Sequence, residues 1–348
     1  MSIVPLRGER ALPRVASSRN GAGNRTHIDA RQHVRQQGDF QVAGFLEGKN
    51  IAVTGAGSGI GKAVALHAAS EGARVVVADY GVTMDGSNPT SEVADGVVAE
   101  IVGAGGTAVA VAGDVSEMAV GQAIVDAAIS NWGSIDGVVC VAGILRERML
   151  FNMSEAEWDD VVRVHLKGTF TVFRAALAVM RKQPTGGSLV GFTSGAFIGS
   201  TAQANYSAAK GGIVSLTKSA ALTGLKYGVN ANIIAPVAKT RMSDQVPFGL
   251  EMGAPEDIAP MVTYLLSDQA KDISGQIYTC VGPRISVWNQ PKEVRSMFAP
   301  GLGRWTPEQI ADILPRTIKT EEHPFLAELA SRMKQMEERK AAEATAQG

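Results

Sequence analysis

The stretch Thr54-Gly55-Ala56-Gly57-Ser58-Gly59-Ile60-Gly61 decides the fold. A short apolar run, Asn50 to Thr54, leads into it, and a helical pattern from about Ile60 to Glu71 leaves it, closed by Gly72 as a C-cap. Glycine at such a strand-to-helix turn lets the backbone approach a ligand closely. The exposed N–H groups and positive end of the helix then receive a pyrophosphate. A glycine-rich pattern alone can be a plain turn; the strand before it and the helix after it supply the required context.

Working outward, a second strand, Arg74 to Ala78, ends at Asp79, 18 positions past Gly61. An acid roughly 20 residues on accepts hydrogen bonds from the adenosine ribose hydroxyls. Asp79 would also repel a 2′-phosphate, and the turn carries no basic residue to welcome one, so NAD is expected rather than NADP. The connection Tyr80 to Ser91 is longer than the usual βα loop. Then come a helix from about Glu92 to Val102, a strand Thr107 to Val111, and Asp114-Val115, where Asp114 is either an adenine contact or an N-cap for the helix running to Trp132. A fourth strand, Gly137 to Val141, meets Ala142-Gly143, small residues that suit close approach to a ligand or a simple turn. Ser154-Glu155-Ala156-Glu157 is a capping box opening a helix expected to run unbroken to about Met180.

Strand five, Ser188 to Phe192, delivers Thr193 and Ser194; strand six, Ala231 to Ile234, delivers Pro236 and Thr240; strand seven is Gln276 to Val281. Helices separate them, one opening at Tyr206 and one spanning Pro255 to about Leu266. This alternation predicts an α/β fold, a Rossmann-type doubly wound, seven-stranded parallel sheet with helices on both faces. It occupies 46–283. Residues 1–45, with seven arginines between Arg7 and Arg35, read as a disordered extension, with a presequence as the alternative. Residues 284–348 read as a partly helical extension with a charged helix from about Glu321 to Ala342.

The pair Tyr206 and Lys210 stands four apart at the start of a helix, so phenol and ammonium share one face. A cation there is expected to lower the tyrosine pKa, fitting it for acid–base work on an alcohol or ketone.

Composition bounds the rest. In 348 residues, 45% hydrophobic with a net charge of −1, nothing suggests nucleic-acid binding. No run approaches 18 apolar residues, so no membrane helix is expected. Cys140 and Cys280 fall in apolar strands and read as buried thiols of a reducing, cytoplasmic protein, forming neither a disulfide nor a metal site.

With the turn, Asp79, Asp114, Ala142-Gly143, Ser194, Tyr206/Lys210, Pro236 and Thr240 in order, the chain resembles the short-chain dehydrogenase/reductase family over about Leu46 to Thr279. The resemblance implies that NAD lies along Gly55, Ser58, Gly59, Ile60, Gly61, Asp79, Asp114, Val115, Ala142, Gly143, Pro236 and Thr240. Tyr206 then moves the alcohol proton, Lys210 lowers its pKa and holds the nicotinamide ribose, and Ser194 bonds the substrate oxygen. The chain departs from the family pattern in three places. Cys140-Val141 precede Ala142-Gly143, so that turn is braced differently. His165 stands where an asparagine is usual, either as a structural residue or as holder of a relay water. Ser194 precedes Tyr206 by twelve positions rather than thirteen, leaving Thr193 as an alternative hydroxyl.

The long loop after Asp79, His165-Leu166-Lys167-Gly168, Gln203-Ala204-Asn205 and Thr240-Arg241-Met242 are similar to the dehydrogenase domain of multifunctional beta-oxidation enzymes and to bacterial acyl and steroid dehydrogenases. A lipid-metabolic substrate follows from that resemblance, a (3R)-hydroxyacyl-CoA or hydroxysteroid, handled by a homodimer or homotetramer. The alternatives are a sugar, polyol or terpene alcohol, or a non-catalytic NAD-binding scaffold.

Overall fold

The computed structural model describes residues 44–82, 89–240, 252–318 and scattered positions from 326 to 338. These belong to one compact unit that begins at residue 43. The extension 1–45, apart from Gly44 and Phe45, and most of the charged helix expected at 321–342 lie outside the described residues.

The elements alternate as the hydrophobic pattern requires. They are β1 Asn50–Thr54, α1 Gly59–Ser70, β2 Arg74–Asp79, α2 Glu92–Gly103, β3 Thr107–Ala112, α3 Met118–Trp132 and β4 Gly137–Cys140; then α4 Glu155–Val162, α5 Gly168–Met180, β5 Gly187–Phe192, α6 Ala204–Gly224 and β6 Val229–Pro236; and finally α7 Ala259–Leu266, β7 Ile277–Val281, β8 Arg284–Val287 and α8 Pro307–Thr317. The sheet order is β3-β2-β1-β4-β5-β6-β7-β8. Seven strands run parallel as expected, but the sheet has an eighth: β8 pairs antiparallel with β7, Tyr278 opposite Val287. A Gly282-Pro283 turn makes this hairpin, with Gly282 at φ +48. The sheet thus extends past residue 283.

Along each strand successive side chains feed opposite layers. Ile51, Val53, Val75 and Val77 pack beneath α1, α2 and α7, while Ala52, Val76 and Ala78 face α3, α5 and α6. Both faces are buried, which is why these strands read as continuous apolar runs.

Two helices differ from expectation. The helix opened by the Ser154 capping box is interrupted by a π turn, Arg163–Lys167, before continuing as α5. The extra residue in that turn re-aims the side chains that follow, and His165 sits inside it. α8 precedes the charged helix expected from about Glu321, and a reciprocal cap holds its start: Gln309 N–H donates to Thr306 Oγ1 and Thr306 N–H to Gln309 Oε1.

The strand order reverses direction between β1 and β4. Their C-terminal ends open a crevice there, the position at which doubly wound sheets hold ligands.

Candidate active site

Backbone geometry makes the first half of the site. Gly55 adopts φ +67, and a Cβ on it would lie 2.7 Å from the Ala142 backbone nitrogen, so the end of β1 and the end of β4 touch with no room for a side chain. A Cβ on Gly61 would lie 2.0 Å from the Gly55 carbonyl oxygen, which fixes α1 against its own turn. α1 has no acidic residue in its first turn to compete for an anion. Asp79 ties the turn to β2: Gly57 N–H donates to Oδ2 at 2.7 Å and Gly81 N–H to Oδ1 at 2.6 Å.

Between these ends lies a cleft of about 510 Å³. It is lined by Gly55, Ser58, Gly59, Ile60 and Gly61 from the turn, by Asp79, by Asp114 and Val115 past β3, by Ala142 and Gly143 past β4, and by Thr240. Pro236, Ser194, Tyr206 and Lys210 do not line it. Sequence reasoning missed Ile144, Arg146 and Arg163, which also face it. An adenine-side acid at Asp114 gave a reason to look for a cationic partner, but nothing local named Arg163.

Asp114 is not an N-cap, because α3 starts at Met118 with Glu117 before it. Its Oδ1 accepts Ser116 N–H at 2.9 Å and its Oδ2 an Arg163 guanidinium proton. Burial pushes this carboxyl up, but the Ser116 hydrogen bonds and the Arg163 charge outweigh that and hold it below its usual range. The turn before Ala142 is braced by Thr54, whose Oγ1 accepts Val141 N–H at 3.2 Å and Ala142 N–H at 3.4 Å.

Side chains make the second half. Lys210, one turn along α6 from Tyr206, is buried, and its Nζ donates to Phe192 O at 2.8 Å and lies 5.3 Å from the Tyr206 ring centre. The expected fall in the tyrosine pKa is overturned. Desolvation pushes the Tyr206 phenol up to about 12, opposed by the hydrogen bond to Ser194. Burial also lowers Lys210 to about 7, which weakens the cation that was to stabilise the phenolate. The Thr193 hydroxyl is donated to Lys210 O at 2.9 Å, whereas Ser194 Oγ accepts Ala196 N–H at 3.2 Å.

His165 stacks edge-on against Tyr206, ring centres 5.1 Å apart. Its Nε2 lies 2.8 Å from Ile144 O and 3.2 Å from Ile144 N, and its buried Nδ1 has no partner among the described residues. A Cβ on Gly143 would lie 2.0 Å from His165 Cε1, so this imidazole is what requires glycine at 143. Burial and the neighbouring Lys210 charge hold the ring well below its ordinary pKa, leaving it neutral.

The residues fit a dinucleotide. Among the described residues a Cβ at Gly59 meets only the Thr240 side chain, at 3.7 Å, which leaves room there for a pyrophosphate, with Asp79 beside it for a ribose.

Comparison with known proteins agrees. A family model described as enoyl-(acyl carrier protein) reductase matches residues 55–282. The chain is 40% identical over 286 residues to hydroxyacyl-CoA dehydrogenase ChsB1 of Mycobacterium tuberculosis, covering 77% of this chain and 88% of that protein. It is 42% identical to mouse peroxisomal multifunctional enzyme type 2 over 66% of this chain, spanning 31% of that longer protein. A crystal structure of a short-chain dehydrogenase from Mycobacterium avium superposes with a TM-score of 0.71 at 38% identity, over 81% of this chain and 98% of that one. The chain belongs to the short-chain dehydrogenase/reductase family, oxidoreductases of CH–OH donors that work with a nicotinamide cofactor.

Proposed function

We propose that this chain is an NAD-dependent dehydrogenase interconverting a 3-hydroxyacyl-CoA, or a related hydroxysteroid, with its ketone. The observation that supports it most is the Tyr206–Lys210 pair, with the buried ammonium 5.3 Å from the phenol ring, and with Ser194 at the end of β5. Gly55, Ser58, Gly59, Ile60, Gly61, Asp79, Asp114, Val115, Ala142, Gly143, Pro236 and Thr240 would hold NAD, which when bound accepts the hydride from the carbinol carbon. Ser194 holds the substrate oxygen, and Tyr206 Oη takes its proton. Lys210 in its charged form favours the phenolate that accepts this proton, and the transfer leaves Tyr206 as the neutral phenol. In the reverse direction the same phenol returns the proton.

NAD rather than NADP is favoured by Asp79, whose carboxylate is fixed at the end of β2 by Gly57 and Gly81. The acyl-CoA substrate draws on ChsB1, whose name carries hydroxyacyl-CoA dehydrogenase chemistry. We take 46–287, which adds β8 to the expected 46–283, as the catalytic domain and the residues from there to 348 as its extension. A homodimer or homotetramer would cover apolar side chains such as Leu222 and Leu225, 79% and 73% exposed on and after α6. No helix among the described residues is long and apolar enough to cross a membrane. We place the enzyme in the cytoplasm on its two free buried thiols.

The test is a panel of 3-hydroxyacyl-CoA thioesters, hydroxysteroids, polyols and terpene alcohols, each offered with NAD and with NADP. Reduction of NAD by the thioesters or steroids is the expected result. Turnover confined to polyols, or a preference for NADP, would overturn the substrate or the role of Asp79.

A further inference from the structure

We infer that Asn205 is a positioning residue that sets Tyr206 in place, an inference that rests on Tyr206 being the acid–base group. The first turn of α6 carries the tyrosine, yet Gln203 at its N-cap makes no side-chain capping bond. Asn205 takes over that task. Its Oδ1 accepts the Tyr206 backbone N–H at 2.8 Å, so one otherwise orphaned helix donor is satisfied beside the reacting residue itself. Its Nδ2 donates both protons, to Arg146 O at 2.9 Å and to Glu157 O at 2.8 Å. Every hydrogen-bonding group of this amide is used, and the residue is 1% exposed.

The two carbonyls come from different segments. Arg146 belongs to the connection after β4 that also carries Ile144, the partner of His165; Glu157 belongs to α4. Asn205 therefore couples the start of α6 to both walls beside the catalytic group. The neighbouring backbone is held the same way. Ala202 is the one non-glycine among the described residues at positive φ, +60, and its carbonyl accepts Arg148 N–H at 2.8 Å in a bridge between Arg148 and Gln203. A left-handed alanine persists only where surrounding bonds over-determine it. The surrounding bonds here converge on the residues immediately before Tyr206.

A purely structural asparagine provides the contrast. Asn232 in β6 is equally buried, donates to Ile273 O at 2.8 Å and accepts Gln276 N–H at 3.1 Å, both from the segment before β7.

The experiment compares Asn205→Ala, Asn205→Ser, Asn232→Ala and Tyr206→Phe in the full chain. The readouts are melting temperature, NAD affinity by calorimetry, and the pH profile of kcat on the best alcohol from the panel. Displacing a catalytic group by an ångström costs up to about 100-fold. Asn205→Ala is expected to lower kcat by about 10- to 100-fold, leave NAD affinity unchanged and displace the limb of the pH profile that belongs to the phenol. Asn205→Ser, which keeps one donor, falls between it and the wild type, and carries the same reading if the alanine variant does not fold. Asn232→Ala loses melting temperature and keeps kcat. The inference is overturned if both Asn205 variants keep wild-type kcat, or if kcat, NAD affinity and melting temperature fall together. Retained turnover in Tyr206→Phe would instead overturn the acid–base assignment, which separates the two failures.

Discussion

The strands β3, β2, β1 and β4 and the strands β5 to β8 meet the cleft with different chemistry. The first half presents backbone: Gly55 against Ala142, Gly61 against Gly55, and Asp79 holding two amides of neighbouring loops. The second half sets side chains beside the cleft rather than in its lining: Ser194, with Tyr206 and Lys210 on α6, the last two with protonation governed by burial. A binding surface made of backbone is specified by spacing, because only glycine permits the required contacts. A reactive surface made of side chains is specified by its surroundings, contributed by segments far apart in the chain.

If that division is right, damage to each half produces a different kinetic signature. Removing the hydroxyl from Ser194 with Ser194→Ala takes away a donor to the substrate oxygen; kcat is expected to fall by about 100- to 1,000-fold while NAD affinity stays constant. Steady-state kinetics with calorimetry checks this, and a loss of NAD affinity would blur the comparison. In the backbone half, Gly61→Ala forces a methyl to 2.0 Å from the Gly55 carbonyl. Overpacking of about 1–3 kcal/mol should appear as weaker NAD binding by about 10- to 100-fold, with kcat at saturation little changed.

Asp79→Asn removes the negative charge and keeps a side-chain carbonyl that can accept one of the two amides bonded by Asp79. The NADP-to-NAD ratio of kcat/KM should rise about 10-fold or more, since like charges brought together cost several kcal/mol. An unchanged ratio would move cofactor choice away from β2.

The smallest effect is a slope. Lys210 is lowered in the folded protein from 10.5 to about 7. Between those values the unfolded chain binds more protons than the folded one, so this group makes stability rise with pH across that window. Denaturation midpoints of the wild type should climb relative to Lys210→Met from pH 7 to about 10, with the difference independent of pH below pH 7.

What could be read in the sequence follows the same division. The turn, Asp79 and the parallel strands were legible because each rests on spacing within a few tens of residues. The sign of the Tyr206 shift was not, because phenol and ammonium four apart predict attraction, whereas desolvation depends on packing from β5, α4 and the segment after β4. The π turn at Arg163–Lys167 was hidden because it leaves the apolar pattern of one continuous helix nearly intact. Two elements were legible in principle: β8 in Gly282-Pro283 followed by alternating Ile285 and Val287, and α8 in the capping box Thr306 to Gln309.

The central claim is that Tyr206 performs the proton transfer in a site whose cofactor half is built independently of it. Its most direct test is Tyr206→Phe, assayed for reduction of NAD by a 3-hydroxyacyl-CoA and, on the same preparation, for NAD binding by calorimetry. The account predicts turnover reduced by at least about 100-fold with NAD affinity intact. Turnover near that of the wild type would contradict it.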